Sequence, residues 1–391
     1  MSRILWHGVA PWHPTGYGQQ AAIWTRKLRD AGHDIAIGAQ GGNNNCVISK
    51  WEDIDVYPST LELEAVTLVT HHTIKHFKPD LIITNYDCWQ MGPGVIFKPY
   101  KTLAWIPIDT DIFQAGPNAR RTGGVAYGDR LWLSQSDAKP IAMSKHGQRM
   151  LKEAGYAAPM IPHGIDTRQA WTPPEDRGKV KQDWNLDPDT FLVVLSGTNI
   201  DPHRKSFSEQ LTAFAKFHYK HPNSAMIIHT QMHTPNSLNI PDLIDGRGLS
   251  FPTVQIIDQG FMYTGMFPQP ALRDLYGAAD VVMAASHGEG FGLAAVEAQA
   301  CGTPVILARG HTGPELVGPG WLVRTQEFWN WTHKADWHIP LIPDLVKALE
   351  QAYQSRGAKR AAARVFAEGF DTEIVWPMWE KLLAEHGISA A

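Results

Sequence analysis

What this chain lacks narrows it quickly. Of 391 residues only three are cysteine, Cys46, Cys88 and Cys301, far apart and without CxxC spacing. That excludes a disulfide framework, gives no zinc-ligand pattern, and points to a reducing compartment. No apolar run approaches the roughly 20 residues of a membrane span. The N-terminus, Met1-Ser2-Arg3-Ile4-Leu5-Trp6, enters a strand directly and shows no signal-peptide h-region. The expected location is cytoplasmic. An excess of charge of one sign is also missing: 35 Lys plus Arg face 39 Asp plus Glu, a net charge of -4. A broadly basic nucleic-acid surface is excluded on that balance, although a local patch is not. No internal repeat or low-complexity block interrupts the chain.

What is present fits a globular enzyme with more residues than one ordinary core holds, so two domains are expected. Short apolar runs alternate with helical patterns throughout, the signature of parallel α/β layers. Strands are predicted at Ile4–Trp6, Ile35–Gly38, Leu81–Thr84, Leu103–Ile108 and Pro140–Met143. Between the first two, Gln20 to Gly32 reads as a helix on the stripe Ile23, Trp24, Leu28, Ala31. Ser144 to Gly155 reads as a helix with Ser144 as N-cap. Residues 170 to 190 change character; Thr172-Pro173-Pro174-Glu175-Asp176-Arg177-Gly178 is polar and Pro-rich, as a linker would be. A second series begins at Phe191–Gly197 and includes strands at Ala225–His229 and Val254–Ile257 and a helix at Leu272–Ala279. Near the C-terminus, Val375 to Leu383 is an amphipathic helix in which Pro377 suits a break or a first turn.

The most specific stretch is Gly288-Glu289-Gly290-Phe291-Gly292-Leu293, running on through Glu297 to Gly302-Thr303-Pro304. It lies between two apolar runs and reads as strand, glycine turn, short helix, strand. Such a turn offers free backbone N–H groups and a helix N-terminus, which suit an anion. The carboxylates of Glu289 and Glu297 only accept hydrogen bonds, which suits hydroxyl groups. Phosphate plus polyol describes a sugar nucleotide.

Three other features carry weaker signals. Gly16-Tyr17-Gly18 follows the first strand and opens a helix, but it lacks the third glycine of GxGxxG, and a plain turn explains it as well. Arg204-Lys205 follows the first strand of the second half, at the ligand edge of an open sheet; the pair either grips phosphate or is a solvated helix start. Asp109-Thr110-Asp111 looks superficially like a metal-holding DxD, but Asp109 and Asp111 equally suit loop caps. His71-His72, His229 with His233, and His333 with His338 read as structural or solvent-facing. No metal site and no cofactor are expected. Fifteen tryptophans are many for this length. Those in polar settings, Trp12, Trp89, Trp329, Trp331 and Trp337, either stack on a ligand or pack half-buried.

Taken with Gly197 through Lys205, Leu275–Asp280, Glu289 to Val305 with its E-x7-E spacing, and Gly313-Pro314-Glu315, the chain resembles the retaining family-4 glycosyltransferases (glycosyl transferases group 1) of GT-B fold. The first half agrees through Gly16-Tyr17-Gly18, Ala31-Gly32-His33-Asp34, Ser144-Lys145 and Pro162-His163-Gly164-Ile165-Asp166. The resemblance implies two Rossmann-like doubly wound domains with an interdomain cleft: residues 1–170 on the acceptor side, 171–370 binding the nucleotide sugar, and 371–391 as a helix returning to the first domain. It implies that Arg204 and Lys205 bind the diphosphate and that Glu289 contacts donor-sugar hydroxyls. Gly290, Phe291, Gly292 and Leu293 form the turn at sugar and phosphate, and Glu297 accepts from the ribose. Gly16 and Gly18 fall on the donor side of the first half. The basic pair is adjacent here, whereas many members space it.

In place of the family's usual histidine near the acceptor, Asp109 is the acceptor-side candidate. The implied reaction moves a sugar from a UDP- or GDP-sugar to an acceptor hydroxyl with retention. Alternatives are a non-catalytic sugar-nucleotide binder, or transfer to DNA or protein rather than to a glycan or lipid. Residues 328–337 are expected to form a variable loop near the cleft. Peripheral membrane contact stays open.

Overall fold

The computed structural model describes residues 1–44, 47–60, 63–111 and 125–388, so Cys46 lies outside the described residues. Two compact units account for it. The first comprises Met1–Gly164, Asn330–Asp336 and the chain from Thr372; the second comprises Ile165–Trp329 and Trp337–Asp371.

In the first unit the strands are β1 (Arg3–Gly8), β2 (Asp34–Ala39), β3 (Ser49–Trp51), β4 (Ile54–Tyr57), β5 (Leu81–Asn85), β6 (Thr102–Ile106) and β7 (Lys139–Ala142). Helices α1 (Gly16–Asp30), α2 (Leu63–Phe77), α3 (Tyr127–Ser136) and α4 (Lys145–Glu153) connect them. The sheet order is β3-β4-β2-β1-β5-β6-β7. Every pairing is parallel except β3 with β4. The central strands are apolar on both faces, as a sheet covered by helices on both sides requires; Leu81, Ile82 and Ile83 have no exposure. Thr15 caps α1 by accepting from the Gly18 N–H at 3.3 Å, and Ser144 caps α4 by accepting from the Gly147 N–H at 3.0 Å.

The second unit holds α5 (Arg177–Asp183), β8 (Phe191–Ser196), α6 (Phe207–Lys220), β9 (Ser224–His229), α7 (Ile240–Asp245), β10 (Val254–Ile256), α8 (Gln259–Thr264) and α9 (Gln269–Ala278). It continues with β11 (Val281–Met283), α10 (Leu293–Ala300), β12 (Val305–Ala308), α11 (Gly313–Leu316), β13 (Trp321–Val323), α12 (Ile342–Gln354) and α13 (Arg360–Glu368). Its sheet is wholly parallel, in the order β10-β9-β8-β11-β12-β13.

At the amino end of β11, Asp280 is fully buried and accepts from Arg177, Lys181 and Arg356 at 2.9–3.1 Å and from the Leu192 N–H at 2.9 Å. Part of the segment read as a linker is therefore helical and integral to this unit: Asp176 caps α5 and Lys181 is buried on Asp280.

Two further sequence expectations change. The Trp-rich segment is no loop but a two-stranded hairpin, β14 (Thr325–Asn330) with β15 (Ala335–Pro340). Its turn is closed by Asn330, whose side-chain oxygen accepts from the N–H groups of Thr332 and His333 at 2.9 and 3.0 Å. Pro377 neither breaks nor starts the last helix but lies inside α14 (Thr372–Glu385). A proline there removes one ladder hydrogen bond. Tryptophan packing on the same helix offsets it, because the Trp379 ring lies 5.1 Å from Trp105 and 6.1 Å from Trp6 and Trp24, and Trp376 stacks on Trp24 at 6.4 Å. Of the tryptophans in polar settings, Trp337 is fully buried, whereas Trp12, Trp89, Trp329 and Trp331 are exposed.

Candidate functional site

In the second unit the strand order reverses its direction of growth between β8 and β11. At such a switch point the loops leaving the carboxyl ends of the two strands diverge, and open α/β sheets bind their ligands in the crevice between. The loop after β8 carries Arg204 and Lys205; the loop after β11 carries Glu289 and the glycine turn.

The structure brings these residues together. Lys205 Nζ pairs with Glu289 Oε1, and Arg204 Nη1 lies 3.5 Å from Glu289 Oε2. Adjacent basic residues therefore both reach the same carboxylate. Backbone bonds fix the loops. The Asp201 carboxylate accepts from the N–H groups of His203 and Arg204 at 2.7 and 2.8 Å, turning the chain so that the pair faces inward. The His287 N–H donates to the Arg204 carbonyl at 2.7 Å and ties the two loops to each other.

Gln210 on α6 binds both loops as well. Its side-chain amide donates to the Lys205 carbonyl at 2.8 Å and its oxygen accepts from the Ala285 N–H at 3.1 Å. Sequence reading missed Gln210, because a glutamine in a helix carries no signal of what it ties. It also missed Ser286, whose hydroxyl is hydrogen-bonded to Glu289.

Burial opposes ionisation of Glu289, but the charges of Lys205 and Arg204 outweigh it, helped by hydrogen bonds from Lys205 and Ser286. Its pKa falls from 4.5 to about 2. At neutral pH Glu289 is thus an acceptor only.

Gly292 precedes α10 with φ of 110°, a left-handed conformation that side chains rarely adopt, and no side chain caps the helix. The first N–H groups of α10 are therefore left for another acceptor. The Phe291 ring packs inward, 5.7 Å from Phe370, so only its backbone is at the turn. Gly290 is buried and Leu293 is half-buried as the first residue of α10.

Glu297, one turn into α10, is buried. Its charge acts on Tyr276, whose phenol is held well above its ordinary range by burial first and Glu297 second. The Tyr276 hydroxyl is hydrogen-bonded to Ser196, which in turn lies 3.0 Å from His229 Nδ1. Burial lowers His229 to about 4, which keeps that imidazole neutral. Ser196 and His229 end β8 and β9, so this network underlies the same sheet edge.

The first unit has its own switch point, between β1 and β5. Gly16 and Gly18 lie in the first turn of α1, which follows the β1 loop. A Cβ on Gly18 would stand 2.2 Å from the His13 carbonyl oxygen, so close packing on the preceding loop already requires glycine there. Asp109 is half-buried just past β6. Asp111 exchanges backbone hydrogen bonds with Asp336 at 3.1 and 2.6 Å, and its Oδ1 lies 3.4 Å from Nε2 of buried His146. Cys88 and Cys301 are buried free thiols. Among the described residues no helix is long and apolar enough to cross a membrane.

Known proteins resemble this chain in sequence over part of its length and in fold over nearly all of it. Residues 243–335 match the family described as "Glycosyl transferases group 1". The D-inositol 3-phosphate glycosyltransferase of Actinosynnema mirum is 29% identical over 198 residues, 49% of this chain and 45% of that protein. The protein of the same name from Rhodococcus erythropolis is 34% identical over 222 residues, 54% of this chain and 44% of that protein. The matches thus span under half the length of these curated relatives. Among solved structures, a sucrose-phosphate synthase from Thermosynechococcus elongatus aligns with TM-score 0.72 and 19% identity over 98% of this chain and 99% of that one. Anabaena HepE, solved with UDP and glucose, aligns with TM-score 0.72 and 18% identity over 98% and 100%. The fold is accordingly the α/β fold of the GT-B glycosyltransferases, built of two Rossmann-like units.

Proposed function

We propose that the chain is a retaining glycosyltransferase that moves a sugar from a UDP- or GDP-sugar to an acceptor hydroxyl. The observation that carries this reading is the convergence of Arg204, Lys205 and Glu289 beside the uncapped start of α10, at the switch point of the second unit. A diphosphate brings two negative charges to a place that offers two cations and a helix N-terminus. Glu289 accepts from hydroxyls of the transferred sugar, Glu297 from the ribose, and the backbone of Gly290 to Leu293 meets sugar and phosphate.

In this mechanism the anomeric C–O bond breaks through an oxocarbenium-like transition state, and charge builds on the leaving diphosphate. Arg204, Lys205 and the α10 N-terminus stabilise that charge electrostatically. A leaving phosphate oxygen takes the proton of the attacking hydroxyl on the same face, so no protein nucleophile is needed. The depressed pKa of Glu289 supports its role as a positioning acceptor; a glycosidase acid needs the opposite shift. Asp109, past β6 in the first unit, is the acceptor-side group, and Gly16–Gly18 at the start of α1 lies on the donor side.

HepE was solved with UDP and glucose, which makes UDP-glucose the first donor to try. A thermal-shift screen of UDP- and GDP-sugars tests binding, since ligand at 100 times its dissociation constant adds about 2.7 kcal/mol of stability. Nucleotide release with acceptor, and the anomeric configuration of the product by NMR, test the reaction. Binding without release under any acceptor condition makes the protein a binder, and an inverted product rules out same-face substitution.

A further inference from the structure

We propose that the first unit carries a carbohydrate-binding platform, built from the exposed rings of Trp89 and Tyr127, the carboxyl groups of Asp87, Asp109 and Asp129 near them, and the adjoining hairpin turn that carries exposed Trp331, and that the acceptor is therefore a sugar ring. This rests on the transferase reading above and names its acceptor class.

The platform lies where the topology places a ligand. Asp87 and Trp89 follow β5, and Asp109 follows β6, all at the carboxyl edge of the sheet beside its switch point. Tyr127 and Asp129 sit in the first turn of α3, which packs on the 3₁₀ turn Cys88–Gln90 that carries Trp89. Gly128 makes that approach possible, since a Cβ there would stand 3.2 Å from Trp89 Cβ.

The turn of the β14–β15 hairpin completes it. The His333 ring lies 6.3 Å from Trp89, edge to face, and the Lys334 ammonium sits 5.0 Å from the centre of the Tyr127 ring. Trp331, two residues before His333, is 78% exposed, and Trp89 and Tyr127 are 56% and 49% exposed. Large rings held in place yet left to solvent mark a recognition surface.

The carboxyl groups say what kind. Asp129 is 9% exposed and makes no hydrogen bond or ion pair among the described residues. A nearly buried carboxyl that keeps a small accessible edge and has no protein partner is open to a ligand hydroxyl. Burial, then the charges of Asp87 and Asp109, hold it well above the ordinary carboxylate range, which favours the protonated, donating form beside two groups that accept. Flat aromatic faces match the C–H faces of a pyranose, and mixed donors and acceptors match its hydroxyls. A lipid surface would instead favour basic groups around the rings.

The test screens the full-length protein against an oligosaccharide array and measures dissociation constants for any oligosaccharide retained. Trp89→Ala and Trp331→Ala remove exposed rings, and Tyr219→Ala, at a 90% exposed position of the second unit, is the control. At least one oligosaccharide class is expected to bind, weakened tenfold or more by Trp89→Ala and by Trp331→Ala and unchanged by Tyr219→Ala. No oligosaccharide bound at millimolar concentration, or binding indifferent to both variants, overturns the proposal. So does sedimentation with phosphatidylglycerol–phosphatidylcholine vesicles that Trp89→Ala abolishes, which makes the face a lipid surface. Nucleotide release from UDP- and GDP-sugars by the wild-type protein is followed alongside. Its absence with oligosaccharide binding intact sinks the transferase reading and leaves the platform standing.

Discussion

Glu289→Gln separates the electrostatics of the proposed donor site from its shape. The substitution keeps the side chain's size but removes the charge that faces Lys205 and Arg204. Wild-type Glu289 has its pKa lowered from 4.5 to about 2. A tenfold change in proton affinity is worth about 1.4 kcal/mol, so the ionised form is favoured in the folded protein by about 3 kcal/mol. That is an upper value, because the side chain keeps 22% exposure and solvent screens the pair.

A depressed carboxylate pKa contributes stability above the unfolded value of 4.5, and the contribution fades as pH falls toward 2. Without ligand, Glu289→Gln is therefore expected to be less stable than wild type by up to about 3 kcal/mol at pH 7. The difference should shrink as pH falls below 4.5, to about a quarter of its neutral value at pH 2.5, and nearly vanish only below the folded pKa of about 2. Two units need not unfold as one, so hydrogen exchange of the β8 and β11 amides, followed in urea, isolates the relevant transition. Equal stability at pH 7, or a difference that persists undiminished at pH 2.5, would refute the reasoning. It would mean that desolvation of the three charges cancels their attraction.

The remaining predictions follow from neighbouring contacts. Arg204→Ala and Lys205→Ala should each raise the donor KM and cut kcat/KM by about 10²–10³-fold if both stabilise charge on the leaving diphosphate; steady-state kinetics on the donor identified by thermal shift checks this. Gly292→Ala places a side chain at φ of 110° and should cost about 1–3 kcal/mol of stability in urea unfolding, together with weakened donor binding. Asp280→Asn leaves Arg177, Lys181 and Arg356 around a neutral amide and should destabilise the second unit by about 3–5 kcal/mol. Because Asp280 sits at the amino end of β11, far along the strand from the Glu289 loop, kcat/KM measured on the folded fraction should not change.

Much of the second unit was legible along the chain. Apolar runs of four to six residues between turn signals named β8, β9, β11 and β12, because a covered parallel strand must be apolar on both faces. The glycine turn was readable because Gly292 needs a backbone conformation that few other residues accept. Both carry their reason within a few residues. The hairpin of β14 and β15 was not legible: Thr325-Gln326-Glu327-Phe328-Trp329-Asn330 lacks clean alternation, and its turn is made by an asparagine side chain rather than by glycine. Pro377 misled for a related reason, since local propensity argues for a break while distant tryptophans hold the helix together.

By itself the sequence determined the parallel α/β class, the glycine turn and the residue types that suit a phosphate and a polyol. Those follow from local backbone sterics and from hydrophobic periodicity, which act over one turn or one strand. Only the tertiary structure decided that Arg204 and Lys205 share one carboxylate, that Gln210 and the His287 backbone lock the two loops, and that Glu289 stays ionised far below its usual range. Those depend on residues some 80 positions apart meeting at a strand-order reversal, and Coulomb's law acts on distance in space, not on distance along the chain.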